Sequence, residues 1–195
     1  MYQHYFKRLF DIILSIIVLP LLLVILVFLG PLIYMEDKGS VFYKAKRRGR
    51  YGEVFEMYKF RTMKMNAPDL RNEDNSTYNS KDDFRLTCIG KKLRSASIDE
   101  LPQIFNIIKG DMSFVGPRPI TIDKPLDQYD EKRIVRLKAR PGLTGFTQAY
   151  YRNSITQEEK MQYDANYVKS ITFLSDFKII LKTVETVLQK KYIYK

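Results

Sequence analysis

The stretch Ile12–Ile33, IILSIIVLPLLLVILVFLGPLI, carries no charged residue, and its reading decides how the rest of the chain sits. About 20 apolar residues are enough for a helix to cross a bilayer. A secretory signal is one alternative, because Lys7 and Arg8 supply a basic start. The apolar run is too long for such a signal, and no small-x-small cleavage site follows it. A spanning helix is the second alternative. Pro20 argues against it, since a proline inside a helix removes a backbone hydrogen bond and kinks the helix. The flanks argue the same way: Lys7 and Arg8 precede the run, and Lys38, Lys44, Lys46, Arg47, Arg48 and Arg50 follow it. Basic residues mark the cytoplasmic side, so both ends call for one side. The expected arrangement is a re-entrant anchor over residues 1–38, bent at Pro20 and held by Lys7 and Arg8.

Composition narrows the chemistry of the remainder. The 195 residues suffice for one domain with a modest core. Lys and Arg number 33 against 22 Asp and Glu, a formal net charge of +11. Such an excess points to an anionic partner: nucleic acid, acidic lipid or a phosphorylated substrate. Cys88 is the single cysteine and His4 the single histidine. This excludes an internal disulfide, a Cys-based zinc site and a Ser-His-Asp triad. Any metal would be a hard cation on oxygen ligands.

Beyond the apolar run, Val41–Tyr43 and Val54–Phe60 read as the arms of a β-hairpin, with Gly49 and Gly52 in its turn. Residues 66–83 are almost free of apolar side chains and read as a long surface loop, placed to be mobile over an active site. A helix is expected from Ser97–Asp99 to about Lys109, with Leu101, Ile104, Phe105 and Ile108 on one face. Pro117 and Pro119 force the following segment into extended or turn conformation, and Arg140–Gly145 is another turn. A last helix, from about Leu174 to Lys191, sets Phe177, Ile180, Leu181, Val184, Val187 and Leu188 on one stripe. Lys178, Lys182, Lys190 and Lys191 fall on its other face. Such a helix packs on a core, the commoner case, or lies on acidic lipid.

SIDELPQ, Ser97–Gln103, places Asp99 and Glu100 side by side. Its plain reading is a capping box in which Ser97 caps the helix and Glu100 reaches back to it. Pro102 would then be the fifth helical residue, whose N–H should be bonded. With Asp99 as the cap, Pro102 falls in the first turn, where a missing N–H costs little. Either way Asp99 lies at a helix N-terminus, where dipole and free N–H groups favour negative charge. Asp99 is expected to stay ionised, as suits a nucleophile or a Mg²⁺ ligand, with Glu100 adding charge for metal binding or proton handling. Downstream, GPRP holds Arg118 between two prolines. A guanidinium on so stiff a backbone suits bidentate phosphate binding; an ordinary Arg paired with a surface acid is the alternative.

Four segments carry a family resemblance: KRLFDIILS (residues 7–15), VFYKAKRRGRYGEVFEMYKFRTM (41–63), IGKKLRSASIDELPQIFNIIKGDMSFVGPRP (89–119) and RPGLTGFTQ (140–148). In this order they resemble the bacterial sugar transferases, the monotopic phosphoglycosyl transferases, in their minimal catalytic-domain form. The resemblance implies an α+β fold: a mostly helical monotopic membrane domain with a re-entrant, Pro-kinked helix, a small β-hairpin or sheet and amphipathic interfacial helices. Residues 39–195 would form one catalytic unit at the cytoplasmic face of the bacterial inner membrane. It implies transfer of a phosphosugar from a UDP-sugar to undecaprenyl phosphate, with UMP as the second product, in the first membrane step of glycan synthesis. The implied mechanism is ping-pong through a covalent phosphosugar on Asp99, with Glu100 as partner acid and Mg²⁺ on Asp99. Arg118 matches the family's phosphate-contacting arginine; Lys59, Arg61, Arg94, Gln148 and Arg152 are the further candidates for substrate or phosphate binding. Partners would be the nucleotide sugar, the polyprenyl phosphate, membrane lipids and downstream glycosyltransferases, with no nucleic acid.

Two places depart from the family pattern. The break commonly reads Ser-Pro, and here it is Leu19-Pro20, with Gly30-Pro31 as a second candidate. After TGFTQ, members often continue Asn-Gly-Arg-Asn; here Tyr150 and Tyr151 precede Arg152 and Asn153, which leads us to expect an altered donor preference. The competing readings are a non-catalytic basic membrane-surface module and a catalytically dead scaffold. The first does not explain the acid pair and GPRP at this spacing, and the presence of Asp99, Glu100 and Arg118 together argues against the second.

Overall fold

In the computed structural model, residues 2–70, 78, 80 and 82–189 are described. The apolar run forms helix α1 (Lys7–Asp37), preceded by a π-helical turn at Tyr2–Phe6. Pro20 and Pro31 both lie inside α1, so neither terminates it. Pro20 has no N–H for the carbonyl of Ile16. Ile12, Ile13, Ile16, Ile17, Val24, Val27 and Phe28 all face outward, while Lys7, Asp11, Ser15, Leu22, Gly30 and Ile33 face inward.

Both ends of α1 are tied to the rest of the chain. At its start, Lys7 forms a buried ion pair with Asp176. Arg8 donates to the carbonyls of Ile107 and Ile108, the latter at 2.9 Å, filling acceptors that a helix C-terminus leaves open. Asp11 accepts from Ser113 Oγ at 3.0 Å and from the Phe114 N–H at 2.9 Å. At its finish, Asp37 pairs with Arg61, and Arg61 Nη2 donates to the Ile33 carbonyl at 2.8 Å. Glu36 Oε1 accepts the Ile89 N–H at 3.0 Å.

Strands β1 (Phe42–Arg48) and β2 (Val54–Phe60) form the expected hairpin, paired antiparallel from Phe42↔Phe60 to Arg48↔Val54. Helix α2 (Cys88–Ser95) is capped by Thr87, whose Oγ1 accepts the Gly90 N–H. A 3-10 turn at Ile98–Glu100 leads into α3 (Gln103–Lys109). The buried face of α3 is Gln103, Ile104, Asn106 and Ile107, and Ile108 is exposed, contrary to the expected face. The reason is Asn106. Its amide accepts the Tyr58 N–H at 2.9 Å and donates to the Glu56 carbonyl at 2.7 Å, taking the place of a further strand along the free edge of β2.

Strands β3 (Ser113–Val115) and β4 (Gly142–Thr144) pair in parallel. Gly116, Gly142 and Gly145 allow this approach: a Cβ on Gly142 would lie 2.2 Å from the Gly116 nitrogen, and one on Gly145 2.1 Å from the Gly116 carbonyl oxygen. Helices α4 (Glu131–Arg136), α5 (Phe146–Tyr150), α6 (Gln157–Lys169) and α7 (Phe173–Leu188) complete the fold. One core gathers Leu22, Ile33, Phe60, Leu93, Ile104, Ile107 and Met112; a second gathers Val115, Val135, Ala149, Ala165, Val168 and Ile179.

Helix α7 is inverted relative to the core-packing expectation. Phe177, Leu181, Val184 and Leu188 point outward, Leu181 55% and Leu188 77% exposed. Asp176, Ile179 and Thr186 face inward instead. Thr186 Oγ1 donates to the Ala149 carbonyl at 2.8 Å, and Thr183 meets Thr144 at 2.6 Å. Phe173 of α7 touches Phe10 of α1 edge-on at 5.9 Å, so the two outward apolar faces are continuous. Lys190 and Lys191 lie outside the described residues, as does half of the expected loop at 66–83. The foot of that loop is pinned by Arg85, which pairs with buried Asp83 and donates to the carbonyls of Pro68 and Tyr78.

Candidate active site

Asp99 and Glu100 occupy the 3-10 turn between α2 and α3. The capping box does not form. Ser97 sits in the left-handed region at φ 56 and makes no side-chain cap, and Glu100 turns to Lys59. Left-handed backbone at a non-glycine residue is strained and recurs at functional sites. Arg152, at φ 47, shares it. Pro102 directly precedes α3, where its missing N–H has no intrahelical acceptor to disappoint.

Four cations converge on the acid pair. Lys59 Nζ lies 2.5 Å from Glu100 Oε1. Arg118 and Arg152 act electrostatically on Glu100, and Arg94 on Asp99. Arg94 is itself held by Thr62 Oγ1 at 3.0 Å. Asp99 is only 9% exposed. Burial raises its carboxyl above the ordinary range, Lys59 opposes that rise, Glu100 adds to it, and Arg94 opposes it. Desolvation works against the helix-start effect at Asp99, which here comes from only a single 3-10 turn. Glu100 goes the other way. Burial would raise it, but Lys59, Arg118 and Arg152 together hold it well below the usual carboxylate range. A carboxylate so strongly held in its ionised form organises cations and is a poor proton donor.

The remaining candidates separate. Arg118 is exposed at the surface of the GPRP loop. Arg152 is partly buried, which lowers its affinity for its proton against the pull of Glu100. Arg61 is not at the acid pair. Alternation would set it on the Lys59 face, but β2 ends at Phe60, and Arg61 is buried among Asp37, Ile33 and Ser40. It ties α1 to the hairpin. Gln148 turns to its own loop, donating to the Leu143 carbonyl at 3.3 Å, and its Oε1 has no partner among the described residues. Lys7 and Arg8 anchor α1 through Asp176 and the α3 carbonyls, as given above. Beside Arg152, Tyr151 stacks on Tyr163 at 5.1 Å and meets Phe146 at 6.1 Å. Thr62, Asn106, Arg136 and Asp164 support the site and were not singled out in the sequence; a lone charge on a helix gives no signal of burial.

No group of three or more His, Cys, Asp or Glu side chains gathers among the described residues. Of the acid pair, Glu100 is held by Lys59.

Comparison with known proteins identifies the family. The chain is 38% identical to the undecaprenyl-phosphate galactose phosphotransferase of Salmonella typhimurium, over 98% of this chain and 42% of that protein. It is 38% identical to the exopolysaccharide production protein ExoY of Sinorhizobium fredii, over 93% of this chain and 84% of that one. It is also 38% identical to the UDP-glucose:undecaprenyl-phosphate glucose-1-phosphate transferase of Klebsiella pneumoniae, over 92% of this chain and 39% of that protein. The chain thus spans about two-fifths of two of these relatives and most of the third. The family model of the bacterial sugar transferases matches residues 2–190, and the chain belongs to that family.

Proposed function

We infer that this chain transfers a sugar-1-phosphate from a UDP-sugar to undecaprenyl phosphate at a membrane surface. The observation that carries the reading is one nearly buried carboxylate, Asp99, beside Glu100, with Lys59 bonded to Glu100 and the charges of Arg94, Arg118 and Arg152 acting on the pair. Such a site accepts polyanions and holds a nucleophile among them. The names of the Salmonella and Klebsiella relatives support the acceptor, and the Klebsiella name supports the nucleotide-sugar donor.

The reaction runs in two displacements. An Asp99 carboxylate oxygen attacks the β-phosphorus, the bond from that phosphorus to the bridging oxygen breaks, and UMP leaves with that oxygen. The phosphosugar is then an acyl phosphate on Asp99. A phosphate oxygen of the acceptor attacks the same phosphorus, forms the diphosphate and returns the Asp99 carboxylate. Lys59 and Arg94 keep Asp99 in the anionic form that burial disfavours. Arg118 and Arg152, presented toward Glu100, are placed to receive the donor diphosphate. Mg²⁺ fits this donor set in the way it usually binds at phosphates, through one or two carboxylates and the substrate's own oxygens; Asp99 would hold it. When bound, it offsets phosphate charge.

The placement is monotopic and cytoplasmic. Both ends of α1 return to one body, and its outward apolar face continues onto α7. This supports both ends of α1 lying on one side of a membrane whose plane runs along α1 and α7. The acid pair would then meet a lipid phosphate and a cytosolic nucleotide at the headgroup level.

The test uses protein in nanodiscs with Mg²⁺, undecaprenyl phosphate and a panel of UDP-sugars, with UMP release as readout. Wild type releases UMP with at least one donor, and Asp99→Asn releases none. UMP release by folded Asp99→Asn at the wild-type rate overturns the assignment.

A further inference from the structure

Beneath Arg118 and Arg152 lies a buried ion pair that the two displacements do not use. Arg136, in the last turn of α4, is 5% exposed, and Asp164, in α6, is 1% exposed. Their charged groups meet at 2.9 Å. Arg136 Nη2 also donates to the Arg118 carbonyl at 2.9 Å. Asp164 Oδ1 further accepts from Thr147 Oγ1 at 2.9 Å, and the Thr147 carbonyl accepts the Arg152 N–H at 2.8 Å. One ion pair therefore holds the Arg118 carbonyl directly and, through Thr147, reaches the left-handed backbone of Arg152.

We propose that Arg136 and Asp164 are positioning residues that set the backbones of Arg118 and Arg152, so that both guanidiniums face Glu100 before substrate arrives. Stability alone does not call for this pair. Apolar residues of similar volume in place of a buried ion pair are often neutral or better for stability. Apolar side chains cannot hydrogen-bond the Arg118 carbonyl and the Thr147 hydroxyl, and that is what this pair does. GPRP stiffens the Arg118 loop internally; the ion pair fixes where the stiff loop points. The chemical consequence rests on the phosphosugar-transfer reading, whereas the geometric claim does not.

Two readouts keep these apart. Removing one charge strands the other in the interior, so the variant carries both Arg136→Met and Asp164→Leu. Hydrogen exchange of the substrate-free protein is followed in peptides covering residues 114–122 and 146–154. Exchange in both is expected to speed by about tenfold or more, as local openings become easier, with α1 and the hairpin unchanged. Donor kinetics are then measured where the variant is fully folded. A displaced pair of arginines is expected to lower kcat/KM by about 10- to 100-fold. Unchanged exchange in the two segments overturns the proposal. So does wild-type kcat/KM per folded molecule, which is what a purely structural pair gives. If wild type turns over no donor, the functional reading fails, and the exchange result still decides the positioning claim.

Discussion

The docking of α1 onto the rest of the chain turns on Asp176. Its carboxylate accepts from Lys7, from Tyr2 at 2.8 Å and from Tyr167 at 2.7 Å. The side chains of Lys7 and Asp176 are 10% and 2% exposed, so solvent screening does not discount the pair as it does at a surface. Asp176→Asn keeps the size and an acceptor for a tyrosine, but leaves the Lys7 ammonium buried without its counter-charge. Breaking a buried pair from one side costs about 3–5 kcal/mol. For a chain of this size each kcal/mol moves the melting temperature by about 2–4 °C, so a fall of about 6–20 °C is expected. Lys7→Met combined with Asp176→Asn removes both charges and should recover most of that loss. The assay is thermal unfolding in one detergent at one pH for wild type, both single variants and the double. A double variant as unstable as the two single losses added would refute the reasoning, as would an Asp176→Asn loss below about 2 °C.

Lys59→Met removes the largest influence holding the Asp99 carboxyl down. Asp99 then stays protonated to higher pH, the nucleophile is lost earlier as pH falls, and the acid limb of the pH–rate profile shifts to higher pH. An unmoved limb with a uniform rate loss would show that Lys59 acts otherwise. For α7, a dye on Leu181→Cys in a Cys88→Ser background should be quenched by brominated lipid in nanodiscs, and one on Lys178→Cys much less; equal quenching at both would remove the membrane plane drawn here. Tyr151→Gly unstacks Tyr163 beside Arg152 and is expected to change the ranking of UDP-sugars. Equal rates across the panel before and after the change would count against a role for this aromatic group in donor choice.

Much of the fold was legible where the signal is local. Val54–Phe60 and the glycine-bearing turn marked the hairpin, and β1 runs on through Lys44–Arg48 with Lys44 and Lys46 outward on the ladder, Lys44 pairing with Glu56 at 3.2 Å. Periodicity shows which residues share a face but not what medium the face meets, and α7 shows the gap: its apolar stripe is real and points away from the protein. On α3 an asparagine took the core position expected for an isoleucine, because the open edge of β2 needed a polar partner that no local pattern announces. The acid pair and Arg118 stand out in the sequence by their own chemistry, whereas Lys59, Arg94 and Arg152 are named only through the family resemblance. Arg61 could not, since its direction depends on where β2 stops. Arg136 and Asp164 look like solvated helix charges until α4 and α6 are packed together.

The covalent step is the centre of the account, and intact-protein mass spectrometry tests it most directly. Wild type is incubated with Mg²⁺ and the preferred UDP-sugar in the absence of acceptor. The account predicts one UMP released per enzyme, a mass gain of one phosphosugar located on Asp99, and loss of that mass when undecaprenyl phosphate is added. Asp99→Asn should gain nothing. UMP release that begins only when acceptor is present, with no adduct trapped at any time, would contradict the account and point to direct transfer between the two substrates.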